Sequence, residues 1–307
     1  MAALLTGLGY IGAALVERLI ARGETVVALE NFYSTPDDAV SAAVPPQVRL
    51  VEGDVANPAD VARAFELAGS DDLTVYHLAA QPSAAIAARE PEITERSNLV
   101  GARIVLEAAR DYRARVIFGG SFRVYGDDLV GQTVDESTPY GRVGDLSHLS
   151  KIYVEQLART IGGAFVSVRL GVTYGLSPIM KTVPAFMTVP NLFCQKAIRG
   201  EVLQVLEDRP MAFIHVDDAA AALVAAVNCA GDSWQVVNAA PEVATIGQVA
   251  RTVQRLMQAR GGWVRIQGAA SSEATFSVRS GLDDAGFQAR RTLAADLPDV
   301  LDYFARQ

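Results

Sequence analysis

The chain has few cysteines: two in 307 residues, Cys194 and Cys229. They lie far apart, without the close spacing of a metal site. They read as reduced structural thiols in a cytoplasmic protein, with no disulfide frame and no bound metal. Basic residues are not in excess. Lys and Arg total 27 against 35 Asp and Glu, a net charge of −8, which argues against nonspecific binding to nucleic acid or to an anionic membrane. No apolar run reaches the length of a membrane span. The N-terminus leads straight into a strand pattern, with no charged n-region or cleavage site, so no signal peptide is expected. Internal repeats, low-complexity tracts and long linkers are lacking too.

What the chain has is apolar residues, half of the total, enough for a substantial core. In the first half they fall in short continuous runs alternating with helical patterns. Strands are expected at Ala2–Leu5, Thr25–Leu29, Val48–Val51, Thr74–Ala79, Val116–Gly119 and Ala164–Leu170. Helices are expected at Ile11–Ala21 (ending near Gly23), Pro58–Ala68, Pro91–Arg110 and Ser150–Ile161. Continuous apolar strands alternating with helices imply a parallel sheet covered on both faces. Beyond residue 171 the order loosens. Prolines interrupt an apolar stretch, and helices are expected at Val216–Asn228 and Ile246–Ala259. The division this suggests is residues 1–170 as a dinucleotide-binding domain and 171–307 as a smaller substrate-binding lobe, with segments that can interleave.

The most specific local signal is Thr6-Gly7-Leu8-Gly9-Tyr10-Ile11-Gly12, set between the first strand and the first helix. That is the context in which glycines mean dinucleotide binding. Gly7 allows a sharp turn, Gly9 lets a diphosphate approach the backbone, and Gly12 lets the helix pack close to the strand. The helix N-terminus offers free N–H groups and the positive end of a dipole. Glu30 ends the second strand, 18 residues after Gly12. A carboxylate there can accept hydrogen bonds from the adenosine ribose and repels a 2′-phosphate, favouring NADH over NADPH without excluding dual use. Asp54 ends the third strand and can accept from the adenine amino group. The fold class is therefore α/β, a Rossmann doubly wound parallel sheet with a smaller C-terminal lobe.

Further strings recur in order along the chain: Gly53-Asp54-Val55, His77-Leu78-Ala79-Ala80-Gln81, Asn98 with Gly101, Ser121 to Gly126, Ser150-Lys151 with Glu155, Arg169–Gly175 and Phe213 to Asp218. Together with the glycine turn they resemble the extended short-chain dehydrogenases/reductases, the branch rich in nucleotide-sugar epimerases and dehydratases. The resemblance covers nearly the whole chain. It implies that Leu78, Ala79 and Ala80 line the cofactor and that Leu170–Thr173 face the nicotinamide. The candidate cofactor set is Gly7, Leu8, Gly9, Tyr10, Ile11, Gly12, Glu30, Asn31, Asp54, Val55, Leu78, Ala79, Ala80, Lys151, Leu170 and Val172. The resemblance also implies a homodimer formed through two helices per subunit, one of them after Ser150.

The chemistry departs from that family. Its members use Ser, Tyr and Lys, with Tyr four residues before Lys so that both share a helix face. The ammonium lowers the phenol pKa, and the phenol exchanges a proton with the substrate oxygen. Here Ser121 and Lys151 match the serine and lysine, but Ser147 stands where the tyrosine belongs. Three replacements are open. Tyr140 lies 11 residues before Lys151, roughly 16 Å along a helix, and reaches the site only if the intervening segment loops back. His148 is a residue type suited to proton transfer but should point off the Lys151 face. The third is that no side chain replaces the tyrosine: Ser121 holds the carbonyl, and the proton comes from water or a substrate hydroxyl, for which a phenol next to the carbonyl would serve.

A second departure concerns the substrate. Nucleotide-sugar members carry a diphosphate-gripping arginine four residues before the histidine of the Phe213-Ile214-His215-Val216 string; here that position is Met211, with Arg209 two residues earlier. The segment from 176 to 198 is apolar. The candidate substrate contacts are Ser121, Phe122, Met180, Phe186, Met187 and Met211, a set suited to flat rings. The expected activity is an NAD(P)H-dependent ketoreductase acting on a polycyclic aromatic ketone of the angucyclinone type in antibiotic biosynthesis. A nucleotide-sugar epimerase or 4-ketoreductase is the alternative, and a noncatalytic NAD(P)-sensing protein the second alternative.

Overall fold

A computed structural model describes residues 1–69, 72–229, 231, 233–268 and 273–307. The first part of the chain alternates β1 (Ala2–Thr6), α1 (Tyr10–Ala21), β2 (Thr25–Glu30), α2 (Asp37–Ala43), β3 (Arg49–Glu52), α3 (Pro58–Ala68) and β4 (Leu73–His77). It continues with α4 (Ala84–Arg89), α5 (Pro91–Thr94), α6 (Ala102–Asp111), β5 (Arg115–Ser121), β6 (Thr133–Val134), α7 (Leu146–Ile161) and β7 (Phe165–Leu170). The second part carries β8 (Val172–Tyr174), α8 (Val189–Ile198), β9 (Leu203–Val205), β10 (Pro210–His215), α9 (Val216–Ala225) and β11 (Trp234–Ala239). Last come β12 (Glu242–Thr245), α10 (Ile246–Ala259), β13 (Ile266–Gly268), β14 (Ser277–Val278) and α11 (Leu293–Ala305).

Seven parallel strands form the main sheet, in the order β3-β2-β1-β4-β5-β7-β11. The residues of β1 show why both faces are covered. Leu5 faces a cluster built with α1 and α9, while Leu4 faces the opposite cluster built with α3, α6 and α7. Both side chains are fully buried, each stabilising the fold by roughly 1.5–3 kcal/mol. Strand order reverses between β1 and β4, and the crevice at the carboxyl ends of these strands is where such folds bind ligands. The chain returns to the main sheet late, through β11 beside β7. A smaller sheet of β12, β10 and β8 packs with α8, α10 and α11 into the C-terminal lobe.

Two helices differ from the sequence pattern. The run expected over Pro91–Arg110 is broken into α5, a π-helical stretch Glu95–Gly101, and α6. The wider turn lets Asn98 donate to Gln81 O and Ser150 Oγ and accept from Gln81 N, at 2.7–3.0 Å. Gly101 lies so close to Val55 that a Cβ would meet its Cγ2 at 2.6 Å. The helix expected from Ser150 begins at Leu146, because Asp145 caps it by accepting from His148 N. Ser147 and His148 are thus helical. No helix among the described residues is long and apolar enough to cross a membrane.

Candidate active site

The glycine turn is fixed by close approach. Gly7 has φ +87°, and a Cβ there would sit 2.6 Å from Ala79 N. A Cβ on Gly12 would meet Gly7 O at 2.3 Å, so the helix seats on the turn only with glycine. A Cβ on Gly9 would approach nothing closer than Thr35 Oγ1, at 3.6 Å. Gly9 borders a cavity of about 500 Å³ at the carboxyl edge of the sheet. As N-cap of α1 it provides no side chain to cap the first turn, so the N–H groups of that turn are left for a ligand.

The cavity gathers most of the expected cofactor set: Gly7, Gly9, Tyr10, Ile11 and Gly12 from the turn, Glu30 and Asn31 after β2, Asp54 and Val55 after β3. Leu78, Ala79 and Ala80 after β4, Lys151, and Leu170 with Val172 complete it. Leu8 is the exception. Its side chain is fully buried in the core, and only its N–H takes part, donating to Glu30 Oε2 at 2.6 Å. Glu30 also accepts from Asn31 N and Phe32 N. Burial pushes its pKa up, against the pull of these three N–H groups. Asp54 is already engaged: it accepts from Ala56 N and pairs with Arg96 at 3.1 Å. Arg96, Tyr33, Ser34 and Thr35 line the same end. Sequence reasoning missed them: Tyr33, Ser34 and Thr35 lie in a loop without periodic signal, and Arg96 lies on the π-helical stretch Glu95–Gly101, whose wider turn no local pattern announces.

At the other end, α7 and β5 hold the side chains that the sequence singles out for the chemistry. Lys151 donates to Gly119 O at 2.8 Å, and its Nζ lies 4.7 Å from the Phe118 ring centroid. Burial pulls its pKa down to about 8, with Glu155 acting in the opposite direction. Ser121, at the end of β5, caps the following turn by accepting from Arg123 N. Ser147 occupies the tyrosine position and is 3% exposed. Its hydroxyl donates to Asp145 Oδ1. His148 lines the cavity too, contrary to the expectation that it points away, with Nδ1 2.7 Å from Asp145 Oδ2. Burial raises the Asp145 pKa, but the hydrogen bonds from His148 and Ser147 outweigh it and hold this carboxyl well below its usual range.

Tyr140 does not loop back into the site. Its hydroxyl donates to Glu155 Oε2 at 2.8 Å and accepts from Gln156, and it is not among the cavity-lining residues. Arg209 does not line the cavity either; it is paired with Asp127 and Glu207. Of the expected substrate contacts, Ser121, Phe122, Phe186 and Met211 border the cavity. Met180 and Met187 do not: both pack into the apolar cluster of the C-terminal lobe. Phe276, which sequence reasoning did not single out, adds an aromatic wall, stacked on Phe122 at 5.8 Å with 7° between the ring planes. Among the described residues, no cluster of His, Cys, Asp and Glu could hold a metal ion.

An uncapped helix start, a turn that a Cβ at Gly7 or Gly12 would disrupt and a carboxylate after β2 fit a nicotinamide dinucleotide. The chain belongs to the NAD dependent epimerase/dehydratase family, whose model matches residues 3–240, and its cofactor is accordingly a nicotinamide dinucleotide. It is similar to UDP-glucuronic acid decarboxylase 2 of Arabidopsis thaliana, at 29% identity over 210 residues, 66% of this chain and 44% of the relative. It is also similar to the UDP-N-acetyl-alpha-D-glucosaminuronate decarboxylase of Bacillus cytotoxicus, at 27% identity over 72% of this chain and 69% of that protein. The matched region spans half the length or less of the Arabidopsis thaliana UDP-glucuronic acid decarboxylases 1, 2 and 4. Among solved structures, UDP-glucose 4-epimerase of Thermus thermophilus, in complex with NAD, aligns with a TM-score of 0.81 at 24% identity over 99% of each chain. UDP-glucose 4-epimerase of Bifidobacterium longum, in complex with NAD+ and UDP, gives 0.83 at 20% identity over 100% of this chain and 98% of that one. At such identities the structural likeness shows the fold.

Proposed function

We propose that this chain is an NAD(P)H-dependent ketoreductase acting on a ring carbonyl of a flat, polycyclic aromatic ketone of the angucyclinone type, and that the substrate, not a tyrosine, supplies the proton. The carrying observation is the α7 register. Four residues before Lys151 stands Ser147, its hydroxyl engaged by Asp145. An aliphatic hydroxyl is too weak an acid to replace a phenol beside one ammonium. Met211, Phe122, Phe276 and Phe186 on the cavity wall suit aromatic rings. The turn residues, Glu30, and Leu78 to Ala80 would hold the dinucleotide, with Lys151 at the nicotinamide ribose.

When bound, the cofactor supplies a hydride to the carbonyl carbon. Ser121 offers its hydroxyl to the carbonyl oxygen. In a ring ketone flanked by a phenol, that phenol already donates to the same oxygen. As negative charge develops there, the proton crosses this hydrogen bond. New C–H and O–H bonds would form while the carbonyl π bond, the phenolic O–H bond and the C–H bond that supplies the hydride break, and the phenolate would regain a proton from water. A role in antibiotic biosynthesis belongs with this substrate class and stands or falls with it.

Kinship favours a second reading, a nucleotide-sugar epimerase or 4-ketoreductase, because the relatives named above are UDP-sugar enzymes. Met211 at the arginine position and the pairing of Arg209 with Asp127 weigh against it. The two readings separate when the protein is incubated with NADH or NADPH and a panel of hydroxylated polycyclic ketones and UDP-sugars, following nicotinamide absorbance and product mass. Reduction of an aromatic ketone with no change in the UDP-sugars is the expected result. Turnover of UDP-sugars alone would establish the second reading, and cofactor binding without turnover on either panel would leave a dinucleotide-sensing role.

A further inference from the structure

Between β8 and α8 the chain crosses from the C-terminal lobe to the glycine turn and is tied down at both ends. Near its start, Tyr10 Oη donates to Gly175 O at 2.7 Å and Ser177 Oγ donates to Tyr10 O at 2.6 Å. Asn191, from α8, donates to Gly175 O as well. Near its end, the Phe186 ring meets the Tyr33 ring edge-on, at 6.4 Å and 85°. Between these ties Lys181 lines the cavity, its Nζ 5.6 Å from the centroid of the Tyr10 ring. Among the described residues it has no carboxylate within 4.0 Å and no hydrogen-bond partner. Nearly every other cation at this cavity is matched: Arg96 by Asp54, Arg123 by Asp127, Lys151 by Gly119 O.

A cation without a counter-charge beside a buried ring is costly unless an anion is to arrive. Burial pulls the Lys181 pKa down to about 8, which leaves it mostly charged at neutral pH. Tyr10 opens α1, whose first-turn N–H groups face the same cavity without a capping side chain. Donors from the turn and an ammonium from the crossing segment therefore converge on one region. Among the described residues, the carboxylates near this region already have partners: Glu30 is held by three N–H groups, Asp54 by Arg96, Asp127 by Arg123 and Arg209, and Asp217, which acts on Tyr10, by Arg291.

We propose that Lys181 is a diphosphate ligand of the bound dinucleotide, delivered from the C-terminal lobe to complete the anion site at the start of α1. The assignment rests on the dinucleotide reading of the cavity. It couples the lobe to the cofactor: the segment that carries Phe186 on the substrate side carries the cofactor's counter-charge on the other.

Calorimetric titration with NADH, ADP-ribose and adenosine tests it, on the wild type, Lys181→Met and Lys181→Arg. Lys181→Met should weaken NADH and ADP-ribose roughly tenfold or more, the size of a charged hydrogen bond, and leave adenosine unchanged. Lys181→Arg should keep most of the affinity, and raising salt should weaken NADH binding more in the wild type than in Lys181→Met. A melting temperature equal to that of the wild type shows that each variant is folded. Unchanged NADH and ADP-ribose affinity in Lys181→Met overturns the assignment alone. Failure of the wild type to bind either ligand overturns the dinucleotide reading and the assignment with it.

Discussion

The two ends of the cavity are built under different constraints. At the α1 end, backbone sterics leave little choice: Gly7 sits at positive φ against Ala79, and Gly12 against Gly7 O. At the α7 end the frame is kept, with Lys151 on Gly119 O and Ser121 at the end of β5. The group that this frame serves in the family is missing, and Ser147 is turned to Asp145. Substitution at a position that shapes the backbone disrupts packing, as a Cβ at Gly7 or Gly12 would. A reacting side chain can be lost while the helix around it stays intact, provided the substrate brings the missing group.

Breaking the first end should have the largest effect. Gly12→Val drives a branched side chain into Gly7 O. Overpacking of this kind costs about 1–3 kcal/mol, occasionally more, so NADH affinity should fall by roughly 10- to 100-fold. Calorimetry together with a thermal melt checks this; unchanged affinity would show that the turn is not the cofactor's seat.

A smaller effect is expected at Glu30, where the constraint is charge rather than space. Glu30→Gln should raise the preference for NADPH relative to NADH about tenfold, the scale of a like-charge contact at a partly buried site. The wild type should move in the same direction with acid. Burial raises the Glu30 pKa, so the carboxylate takes up its proton at a higher pH than a free glutamate. The charge that repels a 2′-phosphate is present above that raised pKa and is lost as pH falls through it. The ratio of kcat/KM for NADPH over NADH, measured against pH, checks the sign. A ratio that is flat with pH and unchanged in Glu30→Gln would remove Glu30 from cofactor choice.

The smallest effects on turnover belong to the side chains that could stand in for the missing phenol. Tyr140→Phe and His148→Asn should each leave kcat for ring-ketone reduction within about twofold, whereas loss of a true general acid costs about 10²–10⁴-fold. Tyr140→Phe should instead lower stability by about 1 kcal/mol, through the lost hydrogen bond to Glu155. A collapse of kcat in His148→Asn would turn the Asp145–His148 pair into the proton source.

Much of the dinucleotide end was legible in the sequence, because strand periodicity, glycine spacing and the residue ending β2 each have one steric or electrostatic meaning. Departures arose where tertiary packing overrides local pattern. A helix over Pro91–Arg110 matched the apolar spacing, but Gly101 against Val55 and Asn98 against Gln81 impose a π-helical stretch. Met180 and Met187 read as cavity wall from the apolar character of their segment, but packing places both against the core of the C-terminal lobe. Arg209 was legible as a cation but not as one already matched by Asp127. Phe276 lies 154 residues from Phe122 in sequence, and nothing local announces that the two rings stack.

The central claim is that the substrate supplies the proton that the chain no longer can. It is tested most directly by the ratio of kcat/KM for a polycyclic ketone with a phenol beside the carbonyl to that for its methyl ether. The account predicts that methylation lowers kcat/KM by about 10²-fold or more, with the ether still binding as a competitive inhibitor. Equal rates for the phenol and its ether would contradict it and return the proton to a side chain of the protein.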